Sequence, residues 1–232
     1  MVVGGAILTL VGLLAACGDA EPVREISAEE LPLAVLPLED VKAVFEGFGF
    51  SESPEARPND RVIKEAFDPE DETQDIDRYG RLDGYRLYYS LTPEGNPNMD
   101  SFQVVITVQL FRDAAGASAY LADELTDLEQ SVGLGGADRL QEMSRFKAKG
   151  GGDESVGLVT TRDLVSHGVS FATGHTTAVA IRRGQLLGLA EVLRLDGGER
   201  QDEAQALARR LDQRFKALLR GQLGPTSTQS PQ

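Results

Sequence analysis

The pattern that most constrains this 232-residue chain is a strict alternation followed at once by a helical stripe. Phe102, Val104, Ile106, Val108 and Leu110 alternate with Gln103, Thr107 and Gln109, so the apolar side chains fall on one face of an extended strand. Asp113 then offers a helix cap, and Ala114, Ala117, Leu121, Leu125 and Leu128 recur on one helical stripe. Gly116 inside that helix points to a close approach to the sheet. A similar succession closes the chain: a strand over 185–195, Arg194-Leu-Asp196, and a helix with Ala204, Leu207, Ala208, Leu211, Phe215 and Leu218 on one face. Asp202 and Gln205 suggest a capping box for that helix, and Gly221 can end it.

Other strands are predicted over Gly84–Leu91 and over about 155–161, 165–172 and 176–182, with a hairpin turn at Ile181-Arg-Arg-Gly184. Leu38, Val41, Val44, Phe45 and Phe48 read as a short helix after Pro37. Leu140, Met143 and Phe146 read as another, while residues 51–82, with ten acids and little periodicity, read mainly as loop. Together these give an α+β fold: an antiparallel sheet of about six strands with helices packed on one face. The strand–helix echo suggests two pseudo-repeated halves.

Charge sharpens the division of the chain. Residues 18–100 hold 21 acids against 8 bases, whereas residues 101–232 hold 16 against 15. A total of 37 acids against 23 bases argues against nucleic acid as a partner, because such affinity comes from Lys and Arg neutralising phosphates. One cysteine excludes an intramolecular disulfide framework.

That cysteine follows an uncharged apolar stretch, residues 1–16, too short for a spanning helix and suited to a secretory signal. Leu14-Ala15-Ala16-Cys17-Gly18 resembles a bacterial lipobox. The resemblance implies cleavage between Ala16 and Cys17, a diacylglyceryl group on the Cys17 sulfur, and a lipid-anchored extracytoplasmic protein whose membrane partner is reached through that lipid. An uncleaved anchor and a buried core helix are the alternatives, and no Lys or Arg precedes the apolar run. The chain then divides into a signal peptide at 1–16, an acidic tether at 17–36, a single α+β domain at 37–222 and a polar tail at 223–232.

Gly80-Arg-Leu-Asp-Gly-Tyr85, Phe111-Arg-Asp-Ala-Ala-Gly-Ala117, Gly152-Asp-Glu-Ser155 and Ile181-Arg-Arg-Gly184 carry a further resemblance over about 38–220. They are similar to uncharacterised bacterial lipoproteins and to extracellular sensor domains of actinobacterial kinases. What this implies is a binding or sensor-like role without catalysis.

Candidate chemistry is sparse. An EF-hand starting at Asp75 would place Tyr79 at position 5 and Arg86 at position 12, where oxygen ligands are required, so a solvated acidic loop at 68–83 is favoured over calcium. His167 and His175 lack an evident third zinc ligand beyond Asp163 or Asp196. Ser166 and His167 point to opposite faces of a strand and cannot act as nucleophile and base. No cofactor motif occurs, and Lys149-Gly-Gly-Gly152 lacks the Walker order. The expected function is therefore non-catalytic binding of a small molecule or a protein, at Tyr85, Tyr88 and Tyr89 between sheet and helices. A cell-envelope hydrolase and a structural assembly partner in the envelope are the alternatives.

Overall fold

The computed structural model describes residues 24–223 apart from 67, 94–101, 135–137, 150, 167–168 and 196. Seven strands run β1 Phe48–Ala56, β2 Arg81–Pro93, β3 Phe102–Phe111, β4 Asp138–Phe146, β5 Glu154–Ser166, β6 Val169–Arg183 and β7 Leu186–Leu195. They form one antiparallel sheet in the order β1-β2-β3-β7-β6-β5-β4. The helices are α1 Leu31–Ala34, α2 Leu38–Lys42, α3 Asn59–Glu65, α4 Pro69–Tyr79, α5 Ala114–Ser131 and α6 Gln201–Leu219. The fold is α+β, as the alternation predicts, with one strand more than expected.

Helices cover both faces of the sheet. On the front face, α1, Val41 of α2 and the stripe Leu207, Leu211, Phe215 and Leu218 of α6 pack on Tyr89, Val104, Ile106, Val179, Ile181 and Val192. On the back face, Ala117, Leu121 and Leu125 of α5 pack on Leu158, Ala178, Ala180 and Leu187, with Tyr79 of α4 beside them. This placement rules out the symmetric duplication that the echo suggested. β3 and β7 are antiparallel neighbours, so only a two-fold axis perpendicular to the sheet would exchange them. Such an axis keeps both following helices on one face, whereas α5 and α6 lie on opposite faces.

Several local expectations are corrected. Residues 26–36, expected within the acidic tether, belong to the core: Ile26, Leu31, Ala34, Val35 and Leu36 are all buried. The apolar spacing of this segment lets it roof the front face. Arg214 Nη2 fixes it by donating to the Leu33 carbonyl at 2.7 Å, and Tyr89 Oη donates to the Leu36 carbonyl at 2.6 Å. The segment at 48–56 pairs along its whole length with β2, and Pro54 is tolerated because β1 is an edge strand.

The acidic run after Asp68 is helix α4. Asp68 accepts from the backbone N–H groups of Glu70 and Asp71 at 3.0 and 3.3 Å, Pro69 occupies the first turn, and Gly80 closes it in the left-handed region at φ 65°. Gly116 is needed at the start of α5, as its placement suggested, but the neighbour is α4 and not the sheet: a Cβ there would lie 2.0 Å from the Tyr79 carbonyl. The start of α6 is also different. Arg200 is its N-cap, with its N–H donated to Thr177 Oγ1, while Gln205 accepts from the Lys149 N–H.

Leu140, Met143 and Phe146 lie in strand β4, not in a helix. A register shift between Leu140 and Glu142 inserts one residue, which returns Leu140 and Met143 to the same face despite their three-residue spacing. Phe146 then falls over Gly157, where a Cβ would come within 2.3 Å of its ring. The three strands expected between 155 and 182 are two long ones, β5 and β6, paired from Glu154↔Arg182 to Ser166↔Val169.

Candidate ligand-binding site

The two faces are closed to different extents. Helix α5 crosses from central β3 to edge strand β4 and covers the back face at Leu158, Ala178, Ala180 and Leu187. Toward the other end of the same face polar side chains enter the register rows. Across β2, β3 and β7 these are Arg86, Thr107 and Leu189, then Tyr88, Val105 and Glu191, then Ser90, Gln103 and Leu193.

Arg86 is held on this face by two partners. Its Nε donates to Thr107 Oγ1 at 3.1 Å and its Nη1 to Tyr88 Oη at 2.9 Å, with the guanidinium 5.7 Å from the Tyr88 ring centre. Glu191, two strands away on β7, is set among Val105, Ala178 and Leu189. Burial pushes its carboxyl up to about 7, against the opposing pull of the Arg86 and Arg162 charges. No hydrogen bond reaches that carboxylate from the described residues. A half-buried acid with a raised pKa and no hydrogen bond from the described residues is the kind of perturbed group that collects at functional sites.

Beyond Glu191 the end of the sheet opens into a recess of about 310 Å³, lined by Gln103, Arg162, Leu164, His175, Thr176 and Leu193 together with Phe102, Gly174, Arg194 and Leu195. Its volume is at the lower end for a small-molecule site. Arg162 and Leu164 of β5, Thr176 of β6 and Leu193 of β7 all come from the back face, placed there by the period-two alternation of their strands.

The three tyrosines expected at the site are not brought together. Tyr85 and Tyr89 point to the front core, and Tyr89 is fully buried. Tyr88 alone shares the back face with Arg86 and Glu191. Adjacent strand residues face opposite ways, so Tyr88 and Tyr89 are separated by the thickness of the sheet. Ala16, Cys17 and His167 lie outside the described residues. Sequence reading missed Arg162 and Glu191. Each sits alone on a strand, with no motif around it, and its role depends on strands far away in the chain.

A second groove, of about 560 Å³, contains His175 with Glu142, Ser144, Thr161 and Glu199. Glu142, Thr161 and His175 occupy one row across β4, β5 and β6. Ser144 is thus two strands, or roughly 9–10 Å, from the strand of His175, farther than a nucleophile–base hydrogen bond. Among the described residues no three His, Cys, Asp or Glu side chains converge as metal ligands, and no helix is long and apolar enough to cross a membrane.

Comparison with known proteins gives one informative likeness. No family model and no curated protein matches the chain. Among solved structures, the extracellular domain of PknH from Mycobacterium tuberculosis aligns over 84% of this chain and 99% of its own, with a TM-score of 0.55 and 14% identity. The fold is shared with that domain. A putative uncharacterized protein (Rv0999 ortholog) from Mycobacterium smegmatis aligns over 82% of this chain and 100% of its own at 10% identity, with a TM-score of 0.42. The expected resemblance to actinobacterial extracellular domains therefore holds at the level of the fold, from which function does not follow by itself.

Proposed function

We propose that this chain is a lipid-anchored, extracytoplasmic binding domain without catalysis of its own, and that its ligand occupies the recess at the open end of the back face. The observation that carries the reading is the contrast on that face: α5 covers one part, and the remainder holds Glu191, without a hydrogen bond from the described residues, near a recess of about 310 Å³. The lipobox resemblance at Leu14–Cys17 supports the anchoring, and the fold shared with an extracellular domain is compatible with it. With residues 24–36 part of the folded body, Gly18–Val23 is the only link to Cys17, six residues spanning at most about 20 Å. The domain is then held close to the membrane surface. The rival reading, an envelope hydrolase, finds His175 in a groove with acids and a serine, but the strand spacing keeps Ser144 out of its reach.

Two measurements test the proposal. Labelled palmitate is expected to enter the wild-type protein and not Cys17→Ser; equal labelling removes the anchor. Native mass spectrometry of the full chain extracted from membranes is expected to show a small-molecule adduct that Leu193→Trp, which fills the recess, abolishes. An adduct that persists in the filled variant places the ligand elsewhere and refutes the site.

A further inference from the structure

The charge of the recess says which chemistry it takes. In a chain with 14 more acids than bases, the described residues lining the recess include two arginines and a histidine and not one carboxylate. Arg162 is the notable member. It is partly buried, it points into the recess from β5, and it makes no hydrogen bond or ion pair with any of the described residues. Its charge acts on the Glu191 carboxyl.

By contrast, the guanidinium groups of Arg81 and Arg183 are satisfied. Arg81 donates to Gln109 Oε1 at 3.0 Å, to the Arg57 carbonyl at 2.9 Å and to Asn59; Arg183 donates to Asp212 at 2.5 Å. A planar fork of five donors with no acceptor among the described residues, beside an apolar wall, is suited to one partner type, a carboxylate or similar oxyanion bound bidentately. The rest of the lining supplies the other half of the ligand: Leu164, Leu193, Leu195 and Phe102 present apolar surface, and Gln103 and Thr176 offer single hydrogen bonds.

We propose that the recess binds a small monoanion with an apolar body, its charged group on the Arg162 guanidinium and its body against Leu164, Leu193 and Leu195. This rests on the recess being the ligand site. It adds the class of ligand, and the two ideas fail in different ways. The same head-and-body chemistry is presented by a soluble organic acid and by an anionic lipid at the membrane surface.

Benzoate, a carboxylate on one ring, and benzamide, its neutral twin, separate charge from shape. Titration calorimetry on the full chain in phosphatidylcholine nanodiscs, with empty discs as the blank, is expected to show benzoate binding at least tenfold more tightly than benzamide. Arg162→Met, which keeps length and loses the fork, is expected to cost benzoate at least tenfold while leaving benzamide unchanged, and Arg162→Lys to fall between. Melting curves confirm that each variant is folded. Benzamide binding as tightly as benzoate, or Arg162→Met binding benzoate at the wild-type level, overturns the anion inference and leaves the recess a binding site. Neither probe binding, alongside an adduct that Leu193→Trp removes, overturns it equally. Adding phosphatidylglycerol to the discs identifies the source: competition with benzoate that needs Arg162 marks an anionic lipid, and its absence marks a soluble acid.

Discussion

The two faces of the sheet treat a desolvated carboxylate in opposite ways. Asp212, on α6 over the front face, accepts from Arg183 at 2.5 Å and from Lys216 at 2.8 Å. Burial alone would raise its pKa, yet these hydrogen bonds outweigh it and hold the carboxyl below its ordinary value. Glu191, on the back face, has no hydrogen bond from the described residues, so burial prevails and its carboxyl rises to about 7. Beneath the 26–36 segment and α6 the front face is apolar and the Asp212 charge is neutralised, while polar residues, Glu142, Thr161 and His175, gather toward its β4 side. The back face is finished only beneath α5. Beyond that helix Glu191 and Arg162 have no hydrogen bond from the described residues, and the proposed ligand is what would supply their partners.

This contrast breaks most readily at the front. Phe215 is fully buried there, and Phe215→Ala is expected to cost about 3–5 kcal/mol by chemical denaturation through lost burial and an unfilled cavity. A loss under about 1 kcal/mol would show that the front face is not the principal core. Asp212→Ala is expected to cost on the order of 3 kcal/mol, because it leaves Arg183 without its closest partner. The sign for the wild type follows from a lowered folded pKa. The stabilisation from Asp212 is complete above its unfolded value and is lost as pH falls through the folded value, so the variant's deficit should shrink in acid.

For Glu191 the sign reverses. A folded pKa of about 7 lies above the unfolded one, so this group lowers stability as pH rises from the ordinary carboxylate range to 7, with no further change above it. Glu191→Gln is therefore expected to stabilise the protein at pH 8 by about 2 kcal/mol, and by little at pH 4.5. Equal melting curves at both pH values would show that the carboxylate is well solvated. The finest comparison is within β2. Tyr89→Phe removes the 2.6 Å bond to the Leu36 carbonyl and is expected to cost about 1–2 kcal/mol. Tyr88→Phe, on the open face, should cost under about 0.5 kcal/mol. Equal losses would mean that the two sides of this strand are not differently packed.

How much of this was readable beforehand varies by element. β3, α5 and α6 were legible because each carries its own periodicity over many residues, and the Gly184 hairpin because its turn chemistry is local. β4 imitated a helix because a bulge converts a three-residue spacing into a shared strand face. β1 was hidden by Pro54 and by its acids, which an edge strand accepts and a central one does not. The site was the least legible part. Tyr85, Tyr88 and Tyr89 stood out as aromatic neighbours in sequence, while Arg162 and Glu191 are 29 positions apart and acquire meaning only from sheet order.

By itself the sequence determined the class of fold, the antiparallel strands with amphipathic helices, since period and capping act within a few residues. It also supplied the reading of Cys17 as a lipid-bearing residue, which rests on five contiguous positions. Tertiary structure alone decided that α5 and α6 take opposite faces, that residues 26–36 join the core, and that the Arg162 guanidinium, without an acceptor among the described residues, borders the recess. Those outcomes depend on which strand lies beside which, a pairing set by contacts between segments far apart in the chain.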